Sequence, residues 1–107
     1  MTLKISPRAK LDNMVSGEEI AYTINITKEL GSNTVDSYTY KIYDSDDVEK
    51  TDDFGGGDSI SNGVITFGLI AYATGTYTLK FWVTCAESLP DTTTPYEFTF
   101  EMTVVIE

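Results

Sequence analysis

Apolar and polar residues alternate along most of this chain, and a period of two residues is the signature of β-strands with one wet face. The C-terminus is the plainest case. Tyr96, Phe98, Phe100, Met102, Val104 and Ile106 fall on one face, and Glu97, Thr99, Glu101, Thr103 and Glu107 fall on the other, with Val105 the exception. A second run sets Tyr77, Leu79, Phe81, Val83 and Cys85 against Thr76, Thr78, Lys80, Trp82 and Thr84. A third sets Ile20, Tyr22, Ile24 and Ile26 against Ala21, Thr23, Asn25 and Thr27. A fourth, from Val35 to Tyr43, turns Tyr38, Tyr40 and Ile42 inward and Thr39 and Lys41 outward. The fifth, Val64 to Ile70, is apolar on both faces, so alternation does not fix its register. Weaker strands are expected at Thr2–Ile5 and at 48–50.

Turn chemistry separates the runs. Gly17, Gly31-Ser32-Asn33, Gly75 and residues 90–95, bounded by prolines, read as connections. Asn62-Gly63 suits a two-residue hairpin turn with both residues at positive φ. Gly55-Gly56-Gly57-Asp58 reads as a break with a flexible hinge. No helix is expected, since residues 28–30 are too few and the composition favours strands. About seven antiparallel strands with turns every 8–12 residues predict an all-β, immunoglobulin-like sandwich, with residues 1–107 forming one domain. The sequence Thr74-Gly75-Thr76-Tyr77 predicts a tyrosine corner, in which the Tyr77 hydroxyl bonds back to the backbone a few residues upstream. The buried set should include Tyr22, Ile24, Tyr40, Leu79, Phe81, Phe98 and Phe100.

At 107 residues the chain is long enough for a packed core without disulfides. Its single cysteine, Cys85, falls on an inward face and reads as a small buried hydrophobe. Histidine is absent, which removes the common catalytic triads and the usual zinc sites. No catalytic role, cofactor or structural metal is therefore expected. The net charge of −10 opposes nucleic-acid phosphates and anionic lipid, and favours basic protein surfaces. The N-terminus lacks the apolar run of a signal peptide, and no stretch is long and apolar enough for a membrane span.

Two features carry candidate binding chemistry. Residues 44–58 hold Asp44, Asp46, Asp47, Glu49, Asp52, Asp53 and Asp58 against Lys50 alone. Asp44-Ser45-Asp46-Asp47 could begin a calcium cage, but Val48 and Lys50 break the EF-hand pattern, so a mobile, solvated loop is the expectation. Trp82 alternates outward with Lys80 and Thr84, which gives an aromatic anchor with polar neighbours. Lys80, Trp82 and Thr84 are thus the expected contact face, and Asp44, Asp46, Asp47, Asp52 and Asp53 the orienting charge.

The polar entry Lys10-Leu11-Asp12, the strand opening Val15-Ser16-Gly17-Glu18-Glu19-Ile20, the run Gly75-Thr76-Tyr77-Thr78-Leu79-Lys80-Phe81 and the terminal strand resemble small immunoglobulin-like structural proteins of tailed bacteriophages. That resemblance implies a virion adaptor, made in the host cytoplasm. It would work by docking to other virion proteins or to copies of itself. No binding residues carry over from the family. The alternative is a carbohydrate- or cell-surface-binding module, with or without calcium.

Overall fold

The protein is described from a computed structural model, which covers residues 2–5 (backbone only), 10–88 and 94–107. Of the connection expected at 90–95, residues 90–93 lie outside that description. Among the described residues nine elements follow in order: β1 (Thr2–Ile5), β2 (Glu19–Asn25), α1 (Thr27–Leu30), β3 (Val35–Tyr43), α2 (Thr51–Phe54), β4 (Gly55–Ser61), β5 (Val64–Ile70), β6 (Gly75–Ser88) and β7 (Pro95–Ile106). One sheet has the order β1-β2-β5-β4 and the other β3-β6-β7, which is the expected immunoglobulin-like β-sandwich. The pairings within the sheets are antiparallel except that β1 runs parallel to β2.

The inward faces of both sheets meet in an aromatic row. Tyr22 stands opposite Phe67 on the β2–β5 ladder, and their rings stack at 5.4 Å. Phe81 stands between Tyr40 and Phe100 on the other sheet, at 5.5 and 4.8 Å. Phe67 and Phe81 meet edge to face at 5.4 Å and join the two layers. That contact fixes the register of β5, with Ile65, Phe67 and Leu69 buried and Val64, Thr66, Gly68 and Ile70 on the other face. Tyr22, Ile24, Leu79, Phe81 and Phe100 are buried as expected, while Tyr40 and Phe98 are half-buried. Phe98 lies on the half of β7 that residues 10–16, ahead of β2, do not reach. Among these residues, Leu11, Met14 and Ser16 bond to Thr103, Val105 and Glu107 at the far end.

The tyrosine corner is present. The Tyr77 hydroxyl donates to the Thr74 carbonyl at 3.1 Å. Gly75, at φ +141°, lets the ring lie flat against the chain, because a Cβ there would stand 3.3 Å from the hydroxyl. Asn62 (φ 51°) and Gly63 (φ 76°) form the expected hairpin turn between β4 and β5.

Three local expectations are corrected. The glycine run is not a hinge: it opens the edge strand β4. Gly56 lies so close to Gly68 of β5 that a Cβ would sit 3.2 Å from its carbonyl carbon. Gly57, at φ +93°, occupies the register shift between Gly55 and Asp58, where a bulge adds one residue. Residues 48–50 make no strand, only an isolated bridge from Tyr43 to Glu49. There the Asp44 carboxylate accepts the N–H groups of Asp46 and Val48 (2.9 and 3.0 Å), and Asp47 turns to φ 60°. A side chain that satisfies the backbone locally leaves it unavailable to a ladder. Two single-turn helices, α1 and α2, also stand where none was expected, and each tucks one apolar residue inward, Leu30 and Phe54.

Two outcomes follow. Gly55→Ala places its Cβ 2.8 Å from both the Thr51 carbonyl and the Tyr40 hydroxyl. Chemical denaturation should show it less stable by about 1–3 kcal/mol, while the exposed Ser59→Ala on the same strand changes little. The second outcome concerns alkali. Burial raises the pKa of Tyr22, Tyr38, Tyr40 and Tyr77 above the ordinary 10.0, and neighbouring carboxylates add to the effect. A folded-state pKa above the unfolded one stabilises fully below pH 10 and is lost as pH rises through the folded value. The melting temperature, followed by circular dichroism, should therefore hold up to about pH 10 and fall beyond it, with these four tyrosines ionising together with unfolding.

Candidate interaction surface

Along β6, Lys80, Trp82 and Thr84 point outward, as expected from the sequence, in the middle strand of the three-stranded sheet. Trp82 is half-buried. Thr39 and Thr99 stand opposite it on the two neighbouring strands, and the Lys80 ammonium lies 5.1 Å from its ring centre. Lys80 also pairs with Glu101 at 3.7 Å, and the Thr84 hydroxyl donates to Glu97 at 3.3 Å. A shallow groove lined by Tyr43, Asp47, Thr78, Lys80, Trp82 and Glu101 runs across this face.

Of the five aspartates expected to act together, the fold brings only Asp47 to that groove. Asp44 is engaged by the turn it closes. Asp46 is exposed on the same turn, and Asp52 and Asp53 are exposed on α2. Asp58 leaves the acidic loop altogether. From β4 its carboxylate accepts the Tyr38 hydroxyl of β3 and so links the facing edge strands of the two sheets. Among the described residues no group of three acidic or thiol side chains converges as a metal cage would require.

A different surface emerges at the end of the sandwich where β2 passes to β3. Val35 at the start of β3 stands opposite Cys85 near the end of β6, so the β2–β3 and β6–β7 connections share one end. The β4–β5 turn joins them, because the Ile26 N–H donates to the Gly63 carbonyl at 2.9 Å. Asn25 starts α1 by accepting the N–H and hydroxyl of Thr27 at 2.9 and 2.7 Å. Leu30 anchors the turn in the core. Glu87 then fastens the far side of this connection: its carboxylate accepts the Thr34 N–H at 2.6 Å and the Thr34 hydroxyl at 3.0 Å. These bonds hold the Glu87 carboxyl below the usual glutamate range.

Between the two connections lies a groove of about 400 Å³. Its apolar lining is Leu30, Val35 and Ile60, and its polar lining includes Thr27, Asn33 and Asn62. No lining residue carries a charge, although the chain as a whole carries −10. The expected site residues did not include this end. The sequence marked this end only as connections, at Gly31-Ser32-Asn33 and Asn62-Gly63.

Cys85 is buried, and burial, reinforced by the Glu87 carboxylate, pushes its thiol pKa up. That opposes thiolate formation, which nucleophilic cysteine chemistry requires.

No family model matches the sequence, and no curated protein matches it. Among solved structures, the chain is similar to the cysteine protease inhibitor EhICP2 from Entamoeba histolytica. The identity is 19%, 99% of this chain and 95% of that chain are covered, and the TM-score is 0.53. Amebosin follows at 16% identity, 100% and 99% coverage and TM-score 0.47. PbICP-C, solved in complex with falcipain-2, follows at 11% identity, 99% and 98% coverage and TM-score 0.47. Identities this low report fold alone.

The phage resemblance is corrected by these findings, since the full-length likeness at the highest of these scores is to a protease inhibitor and not to a virion protein. The virion adaptor role, the docking to virion proteins or to further copies, the virion location and the carbohydrate-binding alternative are withdrawn with it. The physical reason lies in the residues that suggested it. The stretch from Gly75 to Phe81 builds a tyrosine corner and a central strand, and the terminal strand closes the core. These features belong to the sandwich itself, so they specify a fold and not a partner.

Glu87→Gln should loosen the β2–β3 connection and speed hydrogen exchange at the Thr34 amide without abolishing folding. In the native protein the Thr34 amide resonance should titrate with a midpoint below 4.5, the ordinary glutamate value. A lowered folded pKa means the tether is complete above the ordinary value and is lost as pH falls through the folded one.

Proposed function

We propose that this chain is a non-enzymatic inhibitor that docks the loop end of its sandwich onto a cysteine protease. The observation that carries the reading is the fold likeness to EhICP2, which extends over nearly the whole of both chains. The absence of histidine and the buried, high-pKa Cys85 favour a binding role over a catalytic one. The loop end suits docking. The molecule measures 46 × 30 × 20 Å, and a strand of 14 residues at about 3.3 Å each runs close to its longest extent. The end presented is therefore of the order of 30 × 20 Å, comparable to the roughly 800 Å² that each partner buries in a standard protein complex. Its connections are held by α1, by the Ile26–Gly63 bond and by the Glu87 tether. A surface ordered in advance loses little conformational entropy on binding.

The test is residual activity of a panel of cysteine proteases titrated with the full chain at micromolar concentration. At least one should be inhibited reversibly. Ser32→Arg on the β2–β3 connection and Ser61→Arg at the end of β4, both exposed, should each raise the inhibition constant about tenfold or more with the melting temperature unchanged. Asp52→Lys, away from the lining of the loop-end groove, should not. A panel without any inhibition, or inhibition indifferent to both arginine variants, overturns the reading.

A further inference from the structure

Among the described residues the exposed large apolar side chains are Val15 (58%), Val48 (49%) and Tyr72 (63%). Singly exposed apolar residues are ordinary on any protein surface. These three sit on segments joined to one another at the end away from the β2–β3 connection. Val15 belongs to a turn closed by the Glu18 N–H donating to its carbonyl at 3.0 Å, and the next bond, from Gly17 to the Ala71 carbonyl at 2.8 Å, sets that turn beside Tyr72. Tyr72 meets Phe54 of α2 edge to face at 5.7 Å. Phe54 in turn bonds through its N–H to Lys50, two residues beyond Val48, whose carbonyl accepts the Asp44 N–H.

The charge around this trio is predominantly negative, although Lys41 pairs with Glu49 at 3.4 Å and Lys80 lies in the groove that Asp47 lines. Residues 44–53 carry Asp44, Asp46, Asp47, Glu49, Asp52 and Asp53 against Lys50, and Glu18 and Glu107 lie on the adjoining segments. The two poles of the molecule thus differ: an uncharged groove at one, exposed apolar groups among carboxylates at the other. Exposed apolar side chains bordered by charge suit a protein interface, and an excess of carboxylates selects a partner of the opposite sign and speeds its approach.

We infer that this acidic pole is a second docking surface, whose occupant is a protein surface presenting lysine or arginine around an apolar projection. Val48 and Tyr72 supply the contact, and the surrounding aspartates orient it. The inference stands independently of protease inhibition, since it uses the opposite end of the sandwich.

Two synthetic peptides of equal length and charge test it, one alternating lysine and leucine, the other lysine and serine. Binding to the full chain is followed by titration and by amide chemical shifts. The lysine–leucine peptide should bind at least fivefold more tightly, with shifts confined to residues 15–18, 44–54 and 70–73. Tyr72→Ser should remove most of that margin and leave the lysine–serine affinity unchanged. Asp46→Asn with Asp53→Asn should weaken both peptides. Should Tyr72→Ser lower the melting temperature, Val48→Ser provides the same comparison without the Phe54 contact. Equal affinity for the two peptides, shifts spread over the carboxylates of the whole surface or centred on the loop-end groove, or a margin that survives both serine variants overturns the inference. Protease inhibition by these variants should match that of the unaltered chain, so the two readings can fail separately.

Discussion

The edge-to-face contact of Phe67 with Phe81 is the one on which the remaining architecture depends. Each ring sits on a strand with neighbours on both sides, β5 in one sheet and β6 in the other. A one-residue slip in either strand would turn its apolar set to solvent. Their contact therefore fixes register in both layers at once. Tyr22, Tyr40 and Phe100 extend the row through cross-strand pairs, and with one unpaired cysteine the fold rests on this packing and on its ladders.

Everything built outward from that row is a matter of managing edges. On one side, residues 10–16 pair with the far half of β7 and cover its edge. On the other side, β4 stays in register with β5 only because Gly56 and Gly68 permit close approach and Gly57 absorbs a bulge. Tyr38 on β3 then reaches across to Asp58 on β4. Exposed strand edges invite pairing with other chains, and a bulge, a glycine-rich edge and a charged residue oppose that.

The sandwich keeps its two ends chemically distinct. The β2–β3 and β4–β5 connections enclose an uncharged groove, and their backbone groups are bonded to each other and to Glu87. The opposite pole carries most of the acidic segment together with the exposed Val48 and Tyr72. Such a distribution gives the molecule a direction in an electric field and so weights the approach of a basic surface toward the acidic pole. The face around Trp82 lies between the ends, with Lys80 shared between the indole ring and Glu101.

The sequence by itself determined what depends on near neighbours in the chain. Alternation located four of the strands with their inward faces, because a strand half-buried in a sheet must repeat every two residues, and an apolar run located a fifth. The Asn62-Gly63 turn and the Tyr77 corner were legible for the same reason, since each is set by a few adjacent residues. Tertiary structure decided what depends on distant residues. The glycine run became a strand because Gly68 of β5 stands against it, which no local pattern encodes. The register of β5 was undetermined until Phe67 had Phe81 to meet. The acidic stretch read as one loop, yet the fold spent Asp44 on a turn, sent Asp58 across to Tyr38 and left Asp52 and Asp53 on a helical turn. The loop-end surface was invisible for the same reason. It is assembled from connections distant in the chain: the β2–β5 pairing brings Gly63 to Ile26, the β3–β6 pairing brings Glu87 to Thr34, and the packing of the two sheets sets these ends side by side.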